Sequence, residues 1–546
     1  MAKIKSIFIF IGLLYAGMAV AQDYTYGYLV EFTDKHNSIY SVGAPNEFLS
    51  ERAIERRSKF SIEITEQDFP VNKIYTDSLL HFNAVLHVTS RWFNSAVFFT
   101  NSSTFSDSAK ACTFVSDVTL VFRGIPNKSA KANNKWQTGI DEINYGSSYN
   151  QIAMCNAQKL HNKGYMGNGL QIAVLDGGFW RVNEMACFDS LYQNNRILGH
   201  WDFVSHNDNV FDDHTHGMGV LSIMGGNLPG ELVGTAPQAS YYLFRTENVY
   251  SEYPIEEENW IAAAEVADSA GVDIITTSLG YSVFDDDAMN YTYADMDGNT
   301  TRISRGAEIA FAKGIFVVSS AGNEGNNSWH YITAPSDGGH VLCVGAVDEN
   351  EMIAPFSSRG PSYDGRVKPD VVAKGLGTTL IKADETVGFG NGTSYSCPVM
   401  AGMVACLWQA LPMYSNQEIL DLIHSYSDRY NTPDFSYGYG LPDFGKSTFI
   451  IDSANFNDIS GNNLVKVYPT PFNNELNIHL YIKKGQEVKV VLYDARGFNV
   501  YSEKMRIKSA TYNSITINGL SRFEQGCYFL TVYTNEGVLT KKIVRD

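Results

Sequence analysis

The run Gly390 to Met403, GNGTSYSCPVMAGM, sets a serine, Ser394, where small residues give way to an apolar stretch reaching Leu411. A tight loop opening a buried helix is written this way. A hydroxyl at such a junction stands beside free N–H groups and the positive end of the helix dipole, which favour negative charge building up there. The chemistry this suits is attack on a carbonyl, and it needs a base. DDHTHGMGVLSIMGG, Asp212 to Gly226, supplies His216 ahead of a glycine and an apolar helix, with His214 as its neighbour. Asp176 in VLDGGF ends an apolar strand, where its carboxylate can accept an imidazole N–H and hold the tautomer. Asn323 in SSAGNEG ends another strand and can offer its amide to a developing oxyanion, with the backbone N–H of Ser394 as second donor. Each has an ordinary alternative: an N-cap serine, a turn aspartate before Gly177-Gly178, a loop asparagine among glycines. His214 and His216 with Asp212 and Asp213 could also hold a cation, but an i, i+2 pair cannot share one helix face, and no metal ligand is assigned.

Residues so far apart must be gathered by a scaffold, and from Tyr145 onward the pattern alternates helix and strand. A helix over Gln151 to Asn162 precedes strands at Leu170 to Leu175, Tyr241 to Phe244, Val272 to Thr276, Ile315 to Ser319 and Val341 to Val347, with helices at Glu257 to Ser269 and Ile303 to Lys313. Continuous β-branched runs between amphipathic helices predict an α/β fold, a mostly parallel sheet with helices on both faces. Ligands of such sheets sit at the carboxyl ends of the strands, where all four residues fall.

Before this unit, residues 24 to 125 predict a small α+β domain with strands at Tyr26 to Phe32, Ala84 to Val88, Asn94 to Thr100 and Val118 to Arg123 and a helix over Asn46 to Ser58. A polar stretch, Gly124 to Asp141, reads as an exposed linker open to proteolysis. After it, residues 464 to 546 predict a small β-sandwich with short strands that include Val488 to Tyr493 and Tyr528 to Thr534. The N-terminus has Lys3 and Lys5, an apolar run Ile7 to Leu14 and Ala19-Val20-Ala21, the layout of a secretory signal cut after Ala21. The expected division is therefore 1–21, 22–135, 136–455 and 456–546, with no transmembrane anchor in the mature chain. The formal charge of −18 is concentrated in residues 136 to 463, which carry −25 and so argue against a nucleic-acid partner. Seven scattered cysteines make neither a disulfide scaffold nor a C-x-x-C pair.

Asp176, His216 and Ser394 follow one another in the order Asp, His, Ser, in local sequences that resemble those of subtilisin-like serine peptidases, the subtilase family. The likeness extends to YGSSYNQIAM near Tyr145, Ser278-Leu279-Gly280, FSSRGP at Phe356 to Pro361, KPDVVAKG at Lys368 to Gly375 and GTSYSCPVMAG at Gly392 to Gly402, covering residues 140 to 447. The resemblance implies a secreted endopeptidase acting on protein or peptide substrates through an acyl-enzyme. Ser394 would be the nucleophile, His216 the base, Asp176 its orienter and Asn323 an oxyanion donor, with Ser278, Leu279 and Gly280 pairing with the substrate and no cofactor required. The chain departs from the family pattern at Met218-Gly219, Gly177-Gly178 and Lys374, none of which removes a reacting atom. In this context the first unit resembles a propeptide, cut away within Gly124 to Asp141, and the tail resembles the sorting domain read by the type IX secretion machinery, with export to the medium or the cell surface. A catalytically silent peptide-binding surface protein is the alternative on the same fold. The insertion Phe284 to Thr301 carries Asp285, Asp286, Asp287, Asp295 and Asp297; it lacks the distal glutamate of an EF-hand and reads as a solvated acidic loop, structural calcium being the other reading.

Overall fold

The computed structural model describes residues 24–124, 143–447, 465–482, 486–507, 511–535 and 537–546. The secretory segment and the linker Gly124 to Asp141, apart from Gly124, lie outside them. In the middle unit seven parallel strands form one sheet, in the order Val371–Lys374, Leu342–Val347, Phe316–Ser320, Ile274–Thr277, Gln171–Asp176, Ser240–Arg245, Ile197–Asp202. Alternation along the strands decides which layer each side chain joins: Ile172 and Val174 enter the core beneath the helix Thr393–Ala410, while Ala173 and Leu175 enter the core beneath the helices Ile255–Ala270 and Arg302–Ala312. Both faces are thereby covered and the inner strands are buried throughout, which is why they read as unbroken apolar runs.

The predicted helix over Gln151 to Asn162 is two short helices, Tyr149–Ala153 and Gln158–His161, with Asn156 at a φ of 54° between them. The helix expected from Asn46 begins at Glu51, where the Ser50 side chain accepts from the Ala53 N–H, and ends at Lys59.

The N-terminal unit is a four-stranded antiparallel sheet, ordered Ala84–Ser90, Ser95–Thr100, Tyr26–Phe32, Val115–Arg123. One face packs on its own helices, and the other contributes Leu29, Val88, Trp92 and Val97 to the core over the helix Ile255–Ala270. The C-terminal unit pairs a three-stranded sheet with a four-stranded one around Leu476, Ile478, Val490, Leu492, Leu530 and Val532. All seven cysteines are free. No helix among the described residues is long and apolar enough to cross a membrane.

Candidate active site

Asp176 is the last residue of its strand and fully buried, and its carboxylate accepts the Gly177 N–H at 2.7 Å. His216 opens the helix His216–Gly225, which packs against the same strand, so the imidazole comes down on the carboxylate: Nδ1 lies 2.9 and 3.0 Å from the two Asp176 oxygens. Gly217 permits this approach, since a methyl group there would meet Asp176 and the Gly178 carbonyl. Burial works to lower the His216 pKa, but the charge and hydrogen bond of Asp176, with Glu247 beyond, outweigh it and leave the imidazole above its ordinary value. His214 is pushed down instead, by burial and by the neighbouring His216. Asp213 pairs with Arg245 at 3.1 Å and Asp212 accepts from Asn209 at 2.6 Å, so both aspartates of this run are taken up within the protein.

Ser394 stands in the first turn of the helix Thr393–Ala410, behind Gly392 at a φ of 150° that side-chain-bearing residues rarely adopt. The next residue, Tyr395, has its ring 5.7 Å from that of His216. The Ser394 hydroxyl donates to the Ser278 carbonyl at 3.2 Å, and the Ser278 hydroxyl donates back to the Ser394 carbonyl at 2.8 Å. Asp176 and His216 are thus joined directly, whereas the serine hydroxyl is turned to Ser278. The Asn323 Oδ1 accepts from the Thr393 N–H at 2.9 Å and from its hydroxyl at 3.1 Å, which fixes the amide and leaves Nδ2 as its donor end. Nδ2 and the Ser394 N–H both border the open face of Gly392, 3.8 and 3.7 Å from where a methyl group would stand. Ser278 is buried, Leu279 half-buried and Gly280 exposed, in line beyond the strand Ile274–Thr277.

A second group of titratable residues borders the site and was not singled out in the sequence. The carboxylates of Glu247, Glu252 and Glu256 come within 4.8 Å of one another. Burial pushes Glu247 up to about 7 against the opposing hydrogen bond from Tyr281, with Asp176 adding to the rise. Burial and Glu247 push Glu252 up to about 8. The signal was the density of acids in ENVYSEYPIEEEN, but 247, 252 and 256 share no helical or strand period, and only the folded loop assembles them.

Residues 167–440 match the model of the subtilase family, residues 27–137 that of the peptidase S8 propeptide domain of Bacteroidota, and residues 466–546 that of the secretion system C-terminal sorting domain. A tail of this kind directs export by the type IX route across the outer membrane, to the cell surface or the medium. The serine protease AprX of Bacillus subtilis is 29% identical over 304 residues, which are 50% of this chain and 65% of that protein. Subtilisin E of the same organism is 28% identical over 296 residues, covering 53% of this chain and 68% of the relative. A crystal structure of MycP1 from Mycobacterium smegmatis aligns over 54% of this chain and 83% of its own at 20% identity, with a TM-score of 0.42. The subtilase match takes in every strand of the parallel sheet and half of the sequence, and the chain belongs to the subtilase family.

Proposed function

We propose that this chain is a secreted serine endopeptidase that hydrolyses peptide bonds through an acyl-enzyme, with Ser394 as nucleophile, His216 as base and Asp176 as its orienter. The observation that carries the reading is the bond from Asp176 to His216 Nδ1, which leaves Nε2 as the atom to take the serine proton. Asn323 Nδ2 and the Ser394 N–H would hold the oxyanion, and Ser278 to Gly280 would pair with an extended substrate by strand addition. Residues 22–135 would be the propeptide, 136–455 the catalytic domain and 456–546 the sorting domain. No cofactor enters this chemistry. In the acidic insertion Asp286 caps the Ala288 N–H, Asp295 accepts from Thr292, and Asp297 accepts from Asn299 and Thr300, which supports a loop that holds itself without calcium.

The alternative, a silent peptide-binding protein, draws on the serine hydroxyl resting on Ser278 rather than on the imidazole. A fluorophosphonate probe separates the two. The full-length protein should be labelled and should cleave a denatured protein substrate, and Ser394→Ala should do neither. Absence of labelling in the folded wild type would leave the silent reading standing.

A further inference from the structure

The residue that follows Ser394 has no part in the chemistry above, yet its ring lies against the base. The rings of Tyr395 and His216 have their centroids 5.7 Å apart and their planes inclined at 35°, and both residues are half-buried. The Tyr395 N–H donates to the Gly392 carbonyl at 3.0 Å, in the first turn of the helix Thr393–Ala410. Two neighbours without side chains make room for the ring. A methyl group at Gly390 would stand 2.5 Å from it, and one at Gly219 would stand 3.8 Å from it. Anything longer than a methyl at 219 would enter the space the ring fills. Gly219 is one of the positions at which the chain departs from the family pattern, and the tyrosine occupies what that departure leaves open.

A base that accepts a proton becomes a cation, and the face of an aromatic ring attracts a cation within about 6 Å of its centroid. Asp176 holds the imidazole by one edge, through Nδ1, which sets the tautomer and leaves the ring able to swing about that edge. We infer that Tyr395 is a positioning residue for His216, whose ring limits this swing and favours the imidazolium formed as Ser394 loses its proton. The inference rests on the acyl-enzyme reading above. The other groups about the imidazole are Asp176 and Glu247, which favour its cation, and His214, whose ring is 6.4 Å away, with Arg245 beyond on the Gly177 carbonyl. Tyr395 differs from these in standing on the helix that carries Ser394, so it ties the base to the nucleophile's own element.

The test compares the full-length chain with Tyr395→Phe, which keeps the ring, and with Tyr395→Leu and Tyr395→Met, which keep apolar bulk without it. One readout is the NMR titration of the His216 Cε1–H in protein labelled with ¹³C-histidine, the signal being identified by its loss in His216→Gln. The other is kcat, KM and the acidic limb of kcat/KM on a chromogenic peptide. Tyr395→Phe should match the wild type in both. The ringless variants should titrate lower by about 0.4 to 1 pH unit and lose about three- to tenfold in kcat, with KM little changed. A residue that only filled space would leave the titration where it was. Ringless variants whose His216 titrates as in the wild type, or a Tyr395→Phe that falls as far as they do, would overturn the inference. Failure of the hydrolase reading looks different: the wild type then neither cleaves the peptide nor takes up fluorophosphonate, and the titration alone decides whether the ring favours the cation.

Discussion

At the scale of single residues the pair Asp176 and His216 carries the most direct consequences. As the base proposed above, His216 must have its imidazole unprotonated, and its pKa lies above the ordinary histidine value of about 6.5. Activity should therefore climb with pH through an apparent pKa higher than that, as read from the acidic limb of kcat/KM. Asp176→Asn removes the charge that raises the imidazole and allows the wrong tautomer, so the limb should move to lower pH while kcat falls by about 10⁴-fold, the loss such a change causes in serine peptidases of another fold. A limb that stays in place would mean that another group sets it. These residues were legible in the sequence because Asp176 closes an apolar strand and His216 opens an apolar helix, so that each element already predicts where its end points. Glu247, Glu252 and Glu256 were not legible as a group, because only the folded loop brings their carboxylates within 4.8 Å of one another.

At the scale of elements the helix Ile255–Ala270 has two ends with different work. Its N-terminal turn and the loop before it hold Glu247, Glu252, Glu256 and Glu257, all raised chiefly by burial, to about 7 for Glu247 and about 8 for Glu252 and Glu257. A carboxyl whose folded pKa is raised holds its proton in the native state and loses it in the unfolded chain at lower pH. The stability it contributes is complete below about 4.3 and is lost as pH rises through about 7 to 8. The melting temperature should accordingly decline between pH 5 and pH 8, and Glu252→Gln should flatten that decline. A Tm that rises across this interval would refute the assignment. The seven strands show what elements the sequence reveals and hides. The inner ones are apolar on both faces and stand out, whereas the edge strand Ile197–Asp202, sequence ILGHWD, is half-buried for most of its length and carries no period to read. The break at Asn156 was hidden for a related reason: an apolar helical pattern continues across it, and only the left-handed residue interrupts the backbone.

At the scale of the whole molecule, the other end of that helix fastens the N-terminal unit. Asp268 is fully buried and receives Arg56 at 2.5 Å, Arg57 at 2.8 Å and Arg91 at 2.7 Å, all three from the N-terminal unit, while Asp68 of that unit takes Lys313 at 3.0 Å and Arg57 at 3.1 Å. One turn earlier, Glu265 accepts from the Ser90 hydroxyl at 2.6 Å and from the Arg91 and Trp92 N–H groups at 2.9 and 3.0 Å. The described part of the unit then ends at the helix's opposite end, with Arg123 3.7 Å from Asp286 and Gly124 against Tyr253, two residues before the helix begins. A clamp at the base and an exit at the other end of the helix, about 24 Å apart along 16 residues, hold Gly124 near the rim formed by the carboxyl ends of the strands, on the face opposite the helix Thr393–Ala410. This geometry makes Asp268 the residue on which docking turns. Asp268→Asn leaves three buried guanidinium groups around a neutral amide and should cost about 3–5 kcal/mol, since removing one partner strands the charges of the others. The loss should appear as an earlier calorimetric transition and faster proteolysis of residues 24–124 in the full-length chain. Because the network is buried, added salt should change the wild-type transition little. An unshifted transition in Asp268→Asn would show that the apolar contacts of Val88, Trp92 and Val97 hold the unit by themselves.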